Sequence, residues 1–278
     1  MDYKIVVDSC TDLPKQLKED KSFEFIPLTL MVDDKVFVDN DKFNQGEFLR
    51  TMKASPNSPK SACPSPDDYM KEFNNDGDTY VVTLSSELSG SYNSAELAKR
   101  LYLEENPKKN IEVFDSRSAS VGQALISMKI KQYISEGHKF DDIVKKVNAF
   151  RSGMKTKFVL ESLDNLRKNG RLSHLQAIVA NVLNIKPVMG ATPEGTITKF
   201  EQARGITKAL ISMAKIIERD VIKPQERILA IAHCNCLERA NFVKDEILKR
   251  VPFMDCFIVD TAGVSTMYAN EGGIIVAY

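Results

Sequence analysis

Ser85, Ser86, Ser89, Ser91 and Ser94 crowd one short stretch of the chain, with Gly90 among them. Hydroxyls at this density donate and accept hydrogen bonds without ionising, which suits holding an anion. The same small polar theme recurs at Asp8-Ser9 and Asp115-Ser116. Ser61 and Cys63 form a second group, inside a stretch with prolines at positions 56, 59, 64 and 66. Cys63 could act as a nucleophile if a base stood beside it. The three histidines, His138, His174 and His233, share no motif with it. Arg171 follows Gly170 in a basic turn, and Arg204 opens an amphipathic stretch. His233, Cys234 and Cys236 suggest zinc, but structural zinc takes four ligands and the spacing offers no fourth. No metal site is expected.

These groups need elements to place them. Residues 80–84 are β-branched and apolar and predict a strand. From Tyr92 onward, Ala95, Leu97, Ala98 and Leu101 recur at helical spacing. A strand thus ends in a serine-rich loop that feeds a helix, whose first N–H groups lack intrahelical partners and attract anions. Capping of that helix is the alternative use for the serines. Strands near residues 4, 80 and 111, separated by helices, predict a parallel sheet with crossovers. Ligands bind beyond the carboxyl ends of such strands. That puts Asp8, Ser9, Ser85, Ser86, Asp115 and Ser116 along one edge. Thr11 or Asp12 is placed to cap a helix starting near Leu13 and Pro14, and residues 23–32 predict one strand. Ser65 caps a helix opened by Pro66.

In the second half, residues 175–183 predict a short helix and 185–190 a strand that Pro187 makes irregular or peripheral. A helix is predicted over 204–219, with Arg204 in its first turn. Residues 263–273, including Asn270 and Gly272, read as a glycine-bounded loop able to approach a ligand closely. The fold class is α/β with two domains, residues 1–154 and 155–278. The first has a parallel sheet with helices on both faces, and the second closes a ligand cleft with a mixed sheet.

Composition narrows the function. Lys plus Arg equals Asp plus Glu at 38 each, so nothing favours nucleic acid. No apolar run approaches the roughly 20 residues of a membrane span, and the first residues lack a leader's apolar core. Five irregularly spaced cysteines do not form a disulfide framework. The glycines match neither the dinucleotide nor the P-loop fingerprint, so no nucleotide cofactor is expected. A cytoplasmic globular protein is expected.

The motifs resemble those of the DegV family of bacterial acyl-chain binding proteins. The matching segments are residues 61–66, Ser-Ala-Cys-Pro-Ser-Pro, and 85–92, Ser-Ser-Glu-Leu-Ser-Gly-Ser-Tyr. Residues 166–173, Leu-Arg-Lys-Asn-Gly-Arg-Leu-Ser, with Ile185-Lys186-Pro187 and Arg204, complete the pattern. The resemblance implies a long-chain fatty acid between two domains, its tail in an apolar tunnel of the amino-terminal one. It implies that Ser61 and Ser89 meet the carboxylate, near Cys63, Ser85, Ser86, Gly90, Ser116 and Gly272. It also implies a separate fatty acid kinase as partner, with Arg171 exposed and, like Arg204, contacting that partner or a phosphate. Transient membrane contact fits a lipid carrier. Two departures stand out: Ser61 replaces a threonine, and where many members carry a histidine that helps hold the carboxylate this region has none, leaving Asn270 as the expected carboxylate contact through one donated hydrogen bond. Two other functions compete with this one. One is a serine- or cysteine-dependent acyl hydrolase using Ser89 or Cys63 with His174 or His233. The other is a lipid-responsive protein-interaction module.

Overall fold

The computed structural model describes residues 3–172 and 184–278. The helix expected over 175–183, with Ser173 and His174, lies outside these residues. The first half runs β1 (Tyr3–Asp8), α1 (Lys15–Lys18), β2 (Phe23–Ile26), β3 (Thr29–Val32), β4 (Lys35–Val38), α2 (Gln45–Ala54), β5 (Lys60–Ala62), α3 (Pro66–Phe73), β6 (Asp78–Thr83), α4 (Ser91–Glu105), β7 (Ile111–Asp115), α5 (Val121–Ser135) and α6 (Phe140–Gly153). Strands β2-β1-β6-β7 pair in that order, all parallel. Alternation along these strands feeds two cores. Val6, Val81 and Val113 pack on α3 and α4, while Ile5, Val7, Val82 and Phe114 pack on α5 and α6. Apolar side chains on both faces are what a covered parallel sheet requires.

Pro27 splits the single strand expected over 23–32. β2 joins the parallel sheet and β3 turns away to pair antiparallel with β4 and β5. Ser61 therefore sits on a strand opposite Leu30, not in a free loop. Ser65 caps α3 in a reciprocal box with Asp68, with Pro66 at the first helical position. Neither Thr11 nor Asp12 caps α1, whose N-cap is Pro14.

The second half runs β8 (Thr156–Val159), α7 (Asp164–Lys168), β9 (Ile185–Ala191), β10 (Ile197–Arg204), α8 (Ile206–Asp220), β11 (Ile228–His233), α9 (Leu237–Leu248), β12 (Asp255–Asp260), α10 (Gly263–Ala269) and β13 (Ile274–Ala277). Its mixed sheet has the order β10-β9-β8-β13-β11-β12. The strand with Pro187 is not peripheral. β8 pairs β9 only at Met189 and Gly190, so Pro187 loses no ladder bond on that side. α8 and α9 cover one face through Leu210, Met213, Ile217, Val243 and Ile247. The other face turns toward the first half, where Val121 and Leu125 of α5 meet Ala230, Ala232 and Ala277. No helix among the described residues is long and apolar enough to cross a membrane.

Candidate functional site

A cavity of about 730 Å³, its open side included, lies where the two halves meet. Leu84, Leu88 and Ala119 line it from one half; Phe158, Leu160, Leu166, Ile197 and Ile275 line it from the other. Fourteen of its nineteen described lining residues follow Met154. The apolar chamber is thus interdomain, with walls from both halves. The reason is packing: the face of the mixed sheet not covered by α8 and α9 supplies Phe158 and Ile275.

Polar groups in the wall are mostly satisfied by one another. The Ser118 and Thr156 hydroxyls pair at 2.6 Å, and Ser265 donates to the Cys10 carbonyl at 3.4 Å. Arg171 is the one charged side chain among the described lining residues. It is half-buried, not exposed. Its Nε donates to the Leu88 carbonyl at 3.0 Å and Nη1 to the Asn169 carbonyl. A guanidinium carries five N–H groups, so donors remain for an anion. Its central carbon lies 5.9 Å from the centroid of the Tyr268 ring, also in the wall. The Tyr268 hydroxyl is 3.4 Å from Ser61 Oγ.

The serine loop approaches the same end. Leu88 lines the cavity, and the next residue, Ser89, has its hydroxyl 3.1 Å from that of Ser91 and accepts the Ser91 N–H at 3.2 Å. Gly90 lets the two loops close: a Cβ there would lie 2.9 Å from Cys63 Sγ. Arg171 and Tyr268 line the apolar chamber, while Ser61 and Ser89 stand just behind the wall, Ser61 beside the Tyr268 hydroxyl and Ser89 next to Leu88 in the chain. That arrangement can hold a long apolar molecule with one anionic head.

A family model described as uncharacterised proteins of the DegV family matches residues 2–278. This chain belongs to the DegV family. A DegV domain-containing protein of Streptococcus gordonii is 40% identical over 280 residues, covering 100% of this chain and 99% of the relative. Among solved structures, a DegV family protein of Ruminococcus gnavus, refined with vaccenic acid, is 49% identical with a TM-score of 0.97, over 100% of this chain and 99% of that one. The Streptococcus pneumoniae Fatty Acid Kinase (Fak) B3 protein, loaded with linoleic acid, is 36% identical with a TM-score of 0.90, again over 100% and 99%.

Other positions singled out in this DegV chain serve the scaffold. Ser85 Oγ donates to the Gly195 carbonyl at 2.8 Å, tying the turn between β9 and β10 to the first half. Ser86 Oγ donates to Asp115 at 2.6 Å, and Ser116 Oγ to the Ser118 carbonyl at 3.0 Å. Cys63 is exposed with its Sγ 3.9 Å from Ser94 Oγ. Asn270 does not line the apolar chamber; it accepts from Asn165 at 3.2 Å and faces a separate polar cleft. Gly272 also lies elsewhere, against Arg239 and Glu161. Arg204 is exposed at the end of β10, before a helix that starts at Ile206. His233 accepts the Cys236 N–H at 3.2 Å and lies 3.4 Å from Asp260. Among the described residues, no histidine bonds Ser89 or Cys63, so the hydrolase constellation is not assembled there. Nor is any group of three or more His, Cys, Asp or Glu placed to hold a metal.

Sequence reasoning missed α10 and its clamp. Residues 263–269, expected as loop, form a helix carrying Val264, Ser265, Tyr268 and Ala269 into the cavity wall. Asp39 from the first half accepts the Gly263 N–H at 2.6 Å, the Val264 N–H at 2.9 Å and the Ser9 hydroxyl at 2.9 Å. Asp12 accepts the Ala262 N–H at 2.7 Å and the Ser120 hydroxyl at 2.5 Å. Burial pushes both carboxyls up, Asp39 to about 6, because desolvation outweighs these hydrogen bonds. Gln45 adds bonds to Asp260 at 2.9 Å and to the Thr261 carbonyl at 2.8 Å.

Proposed function

We propose that this chain is a cytoplasmic carrier that binds a long-chain fatty acid and presents its carboxylate to a separate fatty acid kinase. The observation that carries the reading is the interdomain apolar chamber with Arg171 as the single charged residue among its described lining residues. The acyl chain fills the chamber, where each buried methylene is worth about 0.8 kcal/mol. The carboxylate lies at the end formed by Ser61, Ser89 and Arg171. A charge leaving water there needs several donors, since an unpaired buried charge is costly. The vaccenic and linoleic acids named with the Ruminococcus and pneumococcal relatives support the ligand class. The name of the pneumococcal relative supports the kinase.

The chain itself supplies binding and orientation and no reacting group. With the tail enclosed, the head stays near the domain boundary, where a kinase can reach it. Arg171 moves in this account from an outward docking role to the head group itself. The test is mass spectrometry of lipid extracted from purified native protein and from S61A/S89A. Native protein is expected to release fatty acid, and the folded double variant to release little. Loaded native protein should also yield acyl phosphate with a bacterial fatty acid kinase and ATP. No bound lipid, and no uptake on titration, would overturn the reading.

A further inference from the structure

We infer that Tyr268 donates its phenolic hydroxyl to the fatty-acid carboxylate, and that Asp39 is the positioning residue that holds it there across the domain boundary. The inference rests on the fatty-acid reading and deepens it.

The Tyr268 ring is part of the chamber wall, and its hydroxyl is 3.4 Å from Ser61 Oγ. That separation is the outer limit of a direct hydrogen bond. One carboxylate oxygen seated beside both hydroxyls can accept from each. A phenolic hydroxyl carries one O–H to donate, as the serine hydroxyl does. The Arg171 guanidinium carbon lies 5.9 Å from the centroid of the same ring, within reach of a cation–π contact. Asn270, two residues on, is turned toward Asn165 and cannot take this place.

Tyr268 owes its position to α10. Val264 and Tyr268 are one helical turn apart and lie on one face. The Val264 N–H is bonded to Asp39 Oδ2 and the Gly263 N–H to Oδ1. A Cβ at Gly263 would sit 2.6 Å from Asp39 Cγ, so the glycine admits this contact. Both carboxylate oxygens are used as acceptors. An asparagine at 39 would turn its amide N–H toward one of these peptide N–H groups, leaving the helix start loosened. Asp39 belongs to the segment after β4, in the opposite half from Tyr268. Loosening this clamp therefore displaces a head-group donor without touching the ligand.

The experiment is a double-mutant cycle on delipidated full-length protein, titrated with vaccenic acid, with circular dichroism as the folding control. Y268F is expected to bind about tenfold more weakly, as for loss of one hydrogen bond to a charged group. D39N should weaken binding about fivefold with Tyr268 present and less than about twofold on the Y268F background, because coupled residues are non-additive. Y268F within about twofold of native overturns the donor role. An equal D39N loss on both backgrounds overturns the positioning role, since general destabilisation acts alike on both. If D39N does not fold, S9A replaces it in the cycle, removing only the hydroxyl that bonds the same carboxylate. Native protein that fails to bind vaccenic acid would instead count against the fatty-acid reading.

Discussion

Replacing Asp39 with asparagine should change how stability depends on pH, and the sign follows from burial. In the folded chain the carboxyl is held at about 6, against an ordinary 3.8. Desolvation is the main cause and nearby Asp12 adds to it, while the Val264 and Gly263 N–H groups and the Ser9 hydroxyl pull the other way. A raised carboxyl takes up a proton on folding. Its contribution to stability is complete below 3.8 and is lost as pH rises through about 6. The separation of about two pKa units corresponds to about 3 kcal/mol in full, of which about 2 kcal/mol appears between pH ~7.5 and ~4.5. Urea unfolding of native protein and D39N at these two pH values measures it. The stability difference should move toward native by about 2 kcal/mol on acidification. Asp8 is also raised by burial, but both proteins retain it, so it cancels in the difference; Asp12 is coupled to Asp39, and its change on replacement is part of the measured effect. A native-minus-D39N difference independent of pH would refute the reasoning.

Other outcomes follow from the same geometry. R171A should lose vaccenic acid affinity by about ten- to a hundredfold in calorimetric titration, with R171K intermediate because lysine lacks the planar fork. Native-like affinity in R171A would return Arg171 to a docking role. G195A should cost about 2–4 kcal/mol in chemical unfolding. Gly195 has φ +97°, and a Cβ there would lie 2.4 Å from Ser85 Oγ and 2.9 Å from Arg117 Cα. A cost below about 0.5 kcal/mol would show that the turn after β9 is not seated against Ser85.

The parallel sheet was legible because its signals are local. The runs ending at Asp8, Thr83 and Asp115 are apolar and β-branched, and helical periodicity follows them. Ser65, Pro66 and Asp68 announce α3 within four residues. The serine loop and Ser61 were legible as polar positions; in the structure Ser61 neighbours Tyr268 and Ser89 follows Leu88, both of which line the chamber. Helix α10 was not legible. It opens Gly-Val-Ser-Thr, a run of poor helix formers, and its capping carboxylate comes from Asp39, 224 positions away. Tyr268 was hidden for the same reason, since a side chain read in a loop has no defined face. Pro187 misled because proline excludes a ladder bond on one side only, and here β8 stops short of it. Arg171 looked exposed because a glycine turn precedes it; Leu88, 83 residues earlier, supplies the carbonyl that draws it inward.

The central claim is that the fatty acid occupies the interdomain chamber, and filling the chamber tests it most directly. Ala191 is half-buried at the end of β9 and lines the cavity, so A191W adds an indole there without replacing a fully buried core residue. Delipidated native protein and A191W are titrated with vaccenic acid, with thermal melting as the folding control. Native protein is predicted to bind one equivalent per chain, and folded A191W to bind at least about tenfold more weakly, a loss of about 1.4 kcal/mol. Equal affinity in the two folded proteins would contradict the account.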